Sequence, residues 1–279
     1  MRKSLTLVAT GVAAALALSA CGSSAASSSS VDTLDPANPV TLTVGASPLP
    51  HAKILQFVAD NLTADTGLEL DIKEFDDFVT PNIALDDGSL DANYFQHQAY
   101  LDAQAESQGY DFEHGAGIHI EPYAAFSDKH EDIASIGDGA RVAITNDPSN
   151  QARALILLEE AGLLENVEGD ASVLALTDEQ NPKNLEFVEN QPELLVNDLS
   201  DPTVDLAILN GNYILAAGLN TDDALLVESV EGNPYANFLV WKAGSKDARI
   251  DKLEELLHSP EVKTFIEETW PNGDLTVAF

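Results

Sequence analysis

Short β-rich runs alternate with segments of helical periodicity along the chain from residue 40 onwards. The β-branched run Val40–Val44 ends in Gly-Ala-Ser-Pro, and the segment from His51 to Leu62 then carries apolar residues at three- and four-residue intervals. A similar strand, turn and helix recur roughly 100 residues later, over 141–161. Strands that alternate with helices predict parallel α/β sheets, and the repeated opening predicts two lobes. We therefore predict a two-lobed α/β fold in which each lobe is a mainly parallel sheet flanked by helices.

The order of these segments also predicts the limits of the lobes. We place the first lobe at residues 40–124, the second lobe at 125–230, and a return to the first lobe with a C-terminal helix at 231–279. In sheets of this kind, ligands bind at the C-terminal ends of strands and at helix N-termini, where free backbone N–H groups point outward. We therefore expect a binding site in the cleft between the lobes.

The N-terminal segment has the features of a secretion signal and contains the single cysteine of the chain. Two basic residues precede an apolar stretch at 5–17, and Leu-Ser-Ala then leads directly into Cys21. This pattern is typical of a secretory signal that is too short to remain as a membrane span. Because Leu-Ser-Ala-Cys resembles the lipobox of bacterial lipoproteins, we predict a lipoprotein signal peptide at 1–20 and lipidation of Cys21. The alternative is an ordinary secretory signal that happens to contain a cysteine.

Small and polar residues follow the predicted lipidation site. The Ser- and Ala-rich stretch at 21–39 is typical of a flexible tether. A lipidated cysteine followed by a tether places the protein at the cell membrane, on its extracytoplasmic side.

The chain is strongly acidic, with 47 Asp and Glu against 13 Lys and Arg and a net charge of −34. Such a charge repels phosphate groups, so it disfavours nucleic acid and anionic membrane surfaces as partners. Acidic pairs such as Asp76-Asp77 and Glu159-Glu160 are typical of solvated faces. We interpret the excess acid as a source of solubility; a specific cationic partner is the less favoured alternative.

Arg153 is the most informative polar residue, since the chain has only four arginines. It lies in the first turns of a predicted helix, where a cation opposes the helix macrodipole unless an anion is near. Its guanidinium could hold a carboxylate through two parallel hydrogen bonds. It could equally form a surface or structural salt bridge, and the sequence leaves both possibilities open.

Aromatic and amide side chains at other predicted strand ends are further candidates. Tyr94, Phe95 and His97 could line a pocket for an apolar or sulfur-bearing side chain, although aromatic residues in strands more often pack in the core. Asn210 and Asn212 flank a glycine at a strand exit, a pattern that is more typical of a turn than of a ligand contact.

Histidines and carboxylates raise the question of a metal or catalytic site. His114, His119 and Glu121 are close in sequence, and His51, His97 and His119 could converge. Their spacing matches no metal-binding signature, and the sequence contains no Gly-x-Ser-x-Gly elbow, phosphate-binding Gly-Lys-Ser/Thr loop or Gly-x-Gly-x-x-Gly fingerprint. We predict that the protein is not an enzyme and that it needs no metal or other cofactor.

Several sequence blocks, in unbroken order, resemble one family. They include Gly-Ala-Ser-Pro at 45–48, Asp-Ala-Asn-Tyr-Phe-Gln-His at 91–97, His-Ile-Glu-Pro at 119–122, Asn-Asp-Pro-Ser-Asn at 146–150 and Asn-Gly-Asn-Tyr at 210–213. From residue 44 to the C-terminus the chain resembles the NlpA/MetQ-type lipoproteins, the methionine-binding components of ABC importers. The resemblance implies a periplasmic-binding-protein-like fold that captures free methionine between its lobes. It also implies delivery of that ligand to a membrane permease with a cytoplasmic ATPase.

The resemblance further implies roles for individual residues. It implies that Arg153 binds the ligand carboxylate, and that Asn146, Asn210 and Asn212 bind the carboxylate and the amino group. It also implies that Tyr94, Phe95 and His97 line the pocket for the ligand side chain. The residues that it places near this pocket are His119, Glu121, Tyr123 and Asn237. Phe78 departs from the family pattern, since relatives often have tyrosine there, and the departure removes a possible hydrogen bond from the pocket.

Other functions stay open on the sequence. Within the same class, the ligand could be another amino acid, D-methionine or a methionine-containing dipeptide. In different classes, the histidines could bind a metal, or the acidic surface could serve an interaction protein without a small ligand.

Overall fold

The computed structural model describes residues 31–279, so the predicted signal peptide, Cys21 and the beginning of the tether lie outside the described residues. The strands of this part of the chain are β1 Val40–Ala46, β2 Leu68–Glu74, β3 Ala92–His97, β4 Phe112–His114, β5 His119–Ile120, β6 Ala124–Phe126, β7 Arg141–Thr145, β8 Glu186–Asn190, β9 Leu206–Leu209, β10 Leu226–Val227, β11 Asn237–Lys242 and β12 Thr276–Val277. The α-helices are α1 Lys53–Asn61, α2 Thr80–Asp86, α3 Gln98–Gln108, α4 Pro148–Glu160, α5 Leu195–Asp198, α6 Gly211–Ala216, α7 Ala248–Leu257 and α8 Pro260–Thr269.

Two separate sheets define the two lobes. The first has the order β12-β5-β11-β3-β1-β2, with β4 paired to β11, and the second has the order β10-β6-β9-β7-β8. The prediction of a two-lobed α/β fold is confirmed. Each sheet holds three parallel strands, β2-β1-β3 or β8-β7-β9, and the other strands pair antiparallel. The sheets are therefore mixed rather than mainly parallel, because β6 and β11, which follow the crossings between lobes, run against their neighbours.

The chain crosses between the lobes twice. The segment 118–126 is divided between the lobes, because β5 belongs to the first sheet and β6 to the second. Residues 121–123 therefore lie at the seam, as does the return segment 228–236 between β10 and β11. The lobe limits predicted from the sequence fall at the beginning of β6 and within this return segment.

Each lobe has its own apolar core. In the first lobe, α1 buries Ile54, Leu55 and Val58 completely against the sheet. In the second, α4 buries Leu155 and Leu158 in a separate cluster. Fully burying such a side chain contributes about 1.5–3 kcal/mol. Because each lobe has its own core, the contact between the lobes can be polar.

Two local features differ from the sequence patterns. The Asn-Gly pair that is typical of a turn instead begins α6, and Asn210 occupies its N-cap position. The end of the predicted tether also contacts the first lobe: the Val31 N–H donates to Asp247 at 3.3 Å, and the Val31 carbonyl accepts from the Ala248 N–H at 2.9 Å.

Within residues 31–279, no helix has both the length and the apolar character needed to cross a membrane.

Candidate ligand-binding site

A cavity lies between the two lobes, lined by residues of both. It lies at the C-terminal ends of β3 and β9 and beside the N-terminal half of α4, where sheets of this kind bind ligands. The residues that line it are Phe78, Phe95, Gln96, His97, Tyr100, Glu121, Tyr123, Asn150, Arg153, Asn210, Gly211, Asn212 and Asn237.

Arg153 lies in this seam, on α4, with only 4% of its surface exposed. Its Nε donates to Glu228 Oε1 at 2.8 Å, and its Nη2 donates to Glu228 Oε2 and to the Glu121 carbonyl. The guanidinium carbon lies 4.4 Å and 4.2 Å from the ring centroids of Tyr123 and Tyr235. The residue therefore forms a buried structural salt bridge, while its Nη1 donates no hydrogen bond to any residue in the range 31–279. Nη1 is the part of the group that is available to a ligand.

Two polar atoms of the cavity wall have no hydrogen-bond partner among the described residues. They are Asn210 Oδ1 and the Tyr123 hydroxyl, and both are buried. Buried polar atoms are nearly always paired, because an unpaired one costs about 1–3 kcal/mol. One acceptor and one hydroxyl beside a free guanidinium nitrogen form a set that can bind both charges of an amino acid.

The structure brings some predicted asparagines into the cavity and leaves one outside it. Asn210, Asn212 and Asn237 line the cavity, whereas Asn146 is exposed and lines a neighbouring cavity. Asn150, one helical turn further along α4, lies at the ligand cavity instead. The polar block 146–150 therefore reaches the cavity through its last residue, because the helix begins at Pro148 and turns that side chain inward.

Aromatic rings form one wall of the cavity. The ring centroids of Phe78, Phe95 and Tyr100 are about 6 Å apart, and the Tyr100 hydroxyl donates to the Phe78 carbonyl at 2.8 Å. Tyr213, from the second lobe, packs against Phe78 at 5.2 Å. Tyr94 does not reach this wall, because its side chain points into the core of the first lobe and is fully buried.

His97 joins the lobes by a hydrogen bond. Its Nδ1 accepts from the Tyr100 backbone N–H, so its Nε2–H donates to Asn150 Oδ1 at 3.1 Å. Burial lowers the pKa of His97 to about 3, and the positive charge of Arg153 acts in the same direction. The neutral ring is therefore the form that links the lobes.

A buried network lies behind the cavity. The Glu121 carboxylate can only accept, so His119 Nε2–H donates to it at 2.8 Å, and His119 Nδ1 takes the hydrogen bond of the Tyr94 hydroxyl. His51 Nε2–H lies 3.1 Å from the same Glu121 oxygen and 3.2 Å from Asn237 Oδ1. Burial lowers the pKa of His51 to about 4 and that of His119 to about 3, and it raises the pKa of Glu121.

Three members of this network could in principle hold a metal ion. One ligand atom from each of His51, His119 and Glu121 lies within 4.8 Å of the others. No metal-binding spacing indicates this grouping, because the fold brings His51 to His119 and Glu121 from a distant segment. Hydrogen bonds already account for the arrangement, since each ring N–H that faces Glu121 has an acceptor. His114 lies apart from this network, stacked on Phe238.

Several residues of the site gave no separate signal in the sequence. Glu228 comes from the return segment and Tyr235 from the same crossing, and only the fold brings them to Arg153. Tyr100 lies in the first turn of α3, and nothing in the sequence of that helix marks it as a site residue. Their contribution depends on contacts over long sequence separations, which periodicity does not report.

Comparisons with known proteins agree with this geometry. The family model described as NlpA lipoprotein matches residues 42–279. The methionine-binding lipoprotein MetQ of Bacillus subtilis is 37% identical over 244 residues, which cover 85% of this chain and 88% of that protein. The D-methionine-binding lipoprotein MetQ of Escherichia coli K12 is 35% identical over 220 residues, which cover 77% of this chain and 81% of that protein.

Solved structures show the same likeness. The crystal structure of a lipoprotein from Actinomyces odontolyticus has 48% sequence identity to this chain and a TM-score of 0.82, and the match covers 87% of this chain and 100% of that one. The structure of a nutrient binding protein from Burkholderia cenocepacia bound to methionine has 37% sequence identity and a TM-score of 0.80, and the match covers 85% of this chain and 100% of that one. The relatives are named for binding rather than for a reaction, so the prediction that the chain is not an enzyme is confirmed. The resemblance found in the sequence is also confirmed: this chain belongs to the NlpA lipoprotein family.

Proposed function

We propose that this protein is an extracytoplasmic solute-binding lipoprotein that captures methionine between its lobes and delivers it to an ABC permease. The observation that carries the proposal is the buried guanidinium of Arg153, which lines an inter-lobe cavity and whose Nη1 has no hydrogen-bond partner among residues 31–279. Membership of the NlpA family and the names of the relatives support methionine as the ligand.

The charges at the head-group end suit a zwitterion. Glu228 already balances the charge of Arg153 through two hydrogen bonds. A ligand carboxylate on Nη1 therefore needs a compensating positive charge of its own. An ammonium group offers three donors, and Asn210 Oδ1 is an acceptor without a donor. The Tyr123 hydroxyl can donate a further hydrogen bond to the carboxylate.

The aromatic wall of the cavity suits a thioether. Phe78, Phe95 and Tyr100 supply apolar surface, and sulfur–aromatic contacts contribute about 0.3–1.5 kcal/mol. A cavity with a few fixed polar groups and an aromatic wall is the usual design of a small-molecule site.

Ligand binding couples to lobe closure because the cavity wall comes from both lobes. His97 in the first lobe bonds Asn150 in the second, and the Tyr213 hydroxyl of the second lobe donates to the Asp76 carbonyl of the first at 2.9 Å. A ligand that contacts both lobes favours the closed form through its higher affinity for that form. Closure then gives a permease a signal that the ligand is present.

The cellular location of the protein depends on Cys21, which lies outside the described residues. The Leu-Ser-Ala-Cys run and the naming of relatives as lipoproteins support a lipid anchor on the extracytoplasmic side. Val31 contacts Asp247 of the first lobe, so an anchor on Cys21 would hold the protein through that lobe.

Mass spectrometry of small molecules released from the purified, denatured protein tests the ligand directly. We expect methionine in the released fraction. Calorimetry on the stripped protein should then show binding of L-methionine and no measurable binding of L-alanine, which lacks the side chain that the aromatic wall receives. D-methionine and glycyl-methionine complete the panel and decide which stereoisomer and which length the cavity prefers. Absence of binding by every methionine compound would overturn the proposal.

A further inference from the structure

The aromatic wall of the ligand cavity is concave. Phe78 meets Phe95 at an interplanar angle of 32° and Tyr100 at 69°, while Phe95 and Tyr100 are turned 74° from each other. Rings inclined in this way present faces and edges in different directions along the cavity wall that they line. The faces of aromatic rings carry partial negative charge and attract cations, especially methylated ones.

Carboxylates lie directly behind this wall. A neighbouring cavity of about 520 Å³ shares Phe78 and Tyr100 with the ligand cavity, and Asp77, Asp147 and Glu193 line it. Its lining residues, all within the described range, include no Lys, Arg or His. The carboxylates of Asp77 and Asp147 accept backbone N–H bonds at the beginnings of α2 and α4.

The helix ends offset only part of this negative charge. A helix N-terminus carries roughly half of an elementary charge, so two of them leave the three carboxylates with a clear negative excess. Among residues 31–279, Arg153 is the only Lys or Arg that lines the ligand cavity, and it is already paired with Glu228. Burial raises the pKa of Tyr100 well above its usual range, and the negative charges of Asp147 and Asp77 raise it further.

We infer that the cavity accepts methionine derivatives whose sulfur is a sulfonium cation, and that it prefers them to a neutral side chain of the same shape. The inference rests on the proposed function, because Arg153 holds the head group and so directs the side chain to the aromatic wall. A sulfonium spreads its charge over its methyl groups, which can contact Phe78, Phe95 and Tyr100 while the carboxylates behind the rings supply the opposing charge.

Calorimetry with three ligands on the stripped, purified chain tests the inference. The ligands are L-methionine, S-methyl-L-methionine and L-homoleucine, in which a CH group replaces the sulfonium so that shape is kept and charge is lost. We expect S-methyl-L-methionine to bind about tenfold more tightly than L-homoleucine, a ratio within the range of cation–aromatic contacts. Equal affinities, or tighter binding of L-homoleucine, would overturn the inference.

Charge variants test the part assigned to the carboxylates. In Asp77→Asn with Glu193→Gln, the asparagine still caps α2, and we expect the tenfold ratio to fall to about threefold or less while L-methionine affinity changes less than twofold. Glu69→Gln is the matched control: this exposed residue lies near the beginning of β2, away from the strand ends that form the site, and should leave the ratio unchanged.

The outcomes separate this inference from the proposed function. A ratio that the double substitution leaves unchanged overturns the role of the carboxylates. Binding of L-methionine without a preference for the sulfonium overturns the inference alone. Failure to bind L-methionine overturns the proposed function, and the inference with it.

Discussion

Replacing Arg153 with methionine should affect stability and binding for different reasons. The substitution leaves Glu228, whose side chain is only 11% exposed, without its guanidinium partner. Removing one member of a buried ion pair costs about 3–5 kcal/mol. For a chain of this size, each kcal/mol shifts Tm by roughly 2–4 °C, so we expect Tm to fall by roughly 6–20 °C. Losing the bond to the ligand carboxylate should also weaken methionine binding at least about tenfold, since hydrogen bonds to charged groups contribute roughly 1.5–3 kcal/mol.

A second variant separates the two effects. In Arg153→Met with Glu228→Gln, the uncompensated carboxylate is gone, so thermal denaturation should show recovery of most of the lost stability. Methionine affinity measured by calorimetry should stay at least about tenfold below that of the unmodified chain. If the double variant binds methionine as tightly as the unmodified chain, Arg153 serves only the salt bridge and its assignment as carboxylate anchor is wrong.

Two further predictions concern close packing and pH. A Cβ added at Gly211 would lie 2.6 Å from the Glu121 Cβ, so Gly211→Ala should destabilise the protein by about 1–3 kcal/mol in urea unfolding. A Cβ added at Gly137 meets nothing within 4 Å, so the control Gly137→Ala should change the free energy of unfolding by less than ~0.5 kcal/mol. Equal effects of the two substitutions would refute the close approach of Gly211 to Glu121. The buried histidines His97 and His119 have folded-state pKa values near 3, below the ordinary 6.5. The unfolded chain therefore takes up protons first, and stability that is complete above pH 6.5 should fall by up to about 1.4 kcal/mol per pH unit per histidine as the pH is lowered towards 4. A flat stability profile from pH 7 to 4.5 would contradict this.

Periodicity was enough to predict the α/β class and the two lobes. The helical spacing in α1 and the β-branched run of β1 are local signals, because burial on one face of a helix or sheet repeats at a fixed period. The break between α7 and α8 at Ser259-Pro260 also has a local cause, since proline begins a helix more easily than it continues one. The antiparallel strands were missed, because β11 enters its sheet only after the chain has crossed between the lobes twice.

The site was predicted in part, for a related reason. Arg153 could be picked out because a cation in the first turns of a helix opposes the macrodipole, whereas Asn210 became a candidate only through the family resemblance, since Asn-Gly is typical of a turn. Glu228 could not, since one more glutamate among 47 acidic residues carries no signal until the fold brings it to within 2.8 Å of Arg153. Tyr94 was predicted in the pocket, but it faces the core, and the alternation of side chains in β3 gave no means of deciding which face the ligand occupies.

The central claim is that the head group of an amino acid is held at the lobe seam by the free nitrogen of a buried guanidinium. A crystal structure of the purified chain with L-methionine tests it most directly. We predict a ligand carboxylate oxygen within about 3 Å of Arg153 Nη1, with the sulfur against the rings of Phe78 and Phe95. A methionine bound elsewhere, or bound between the lobes with its carboxylate away from Arg153, would contradict the account.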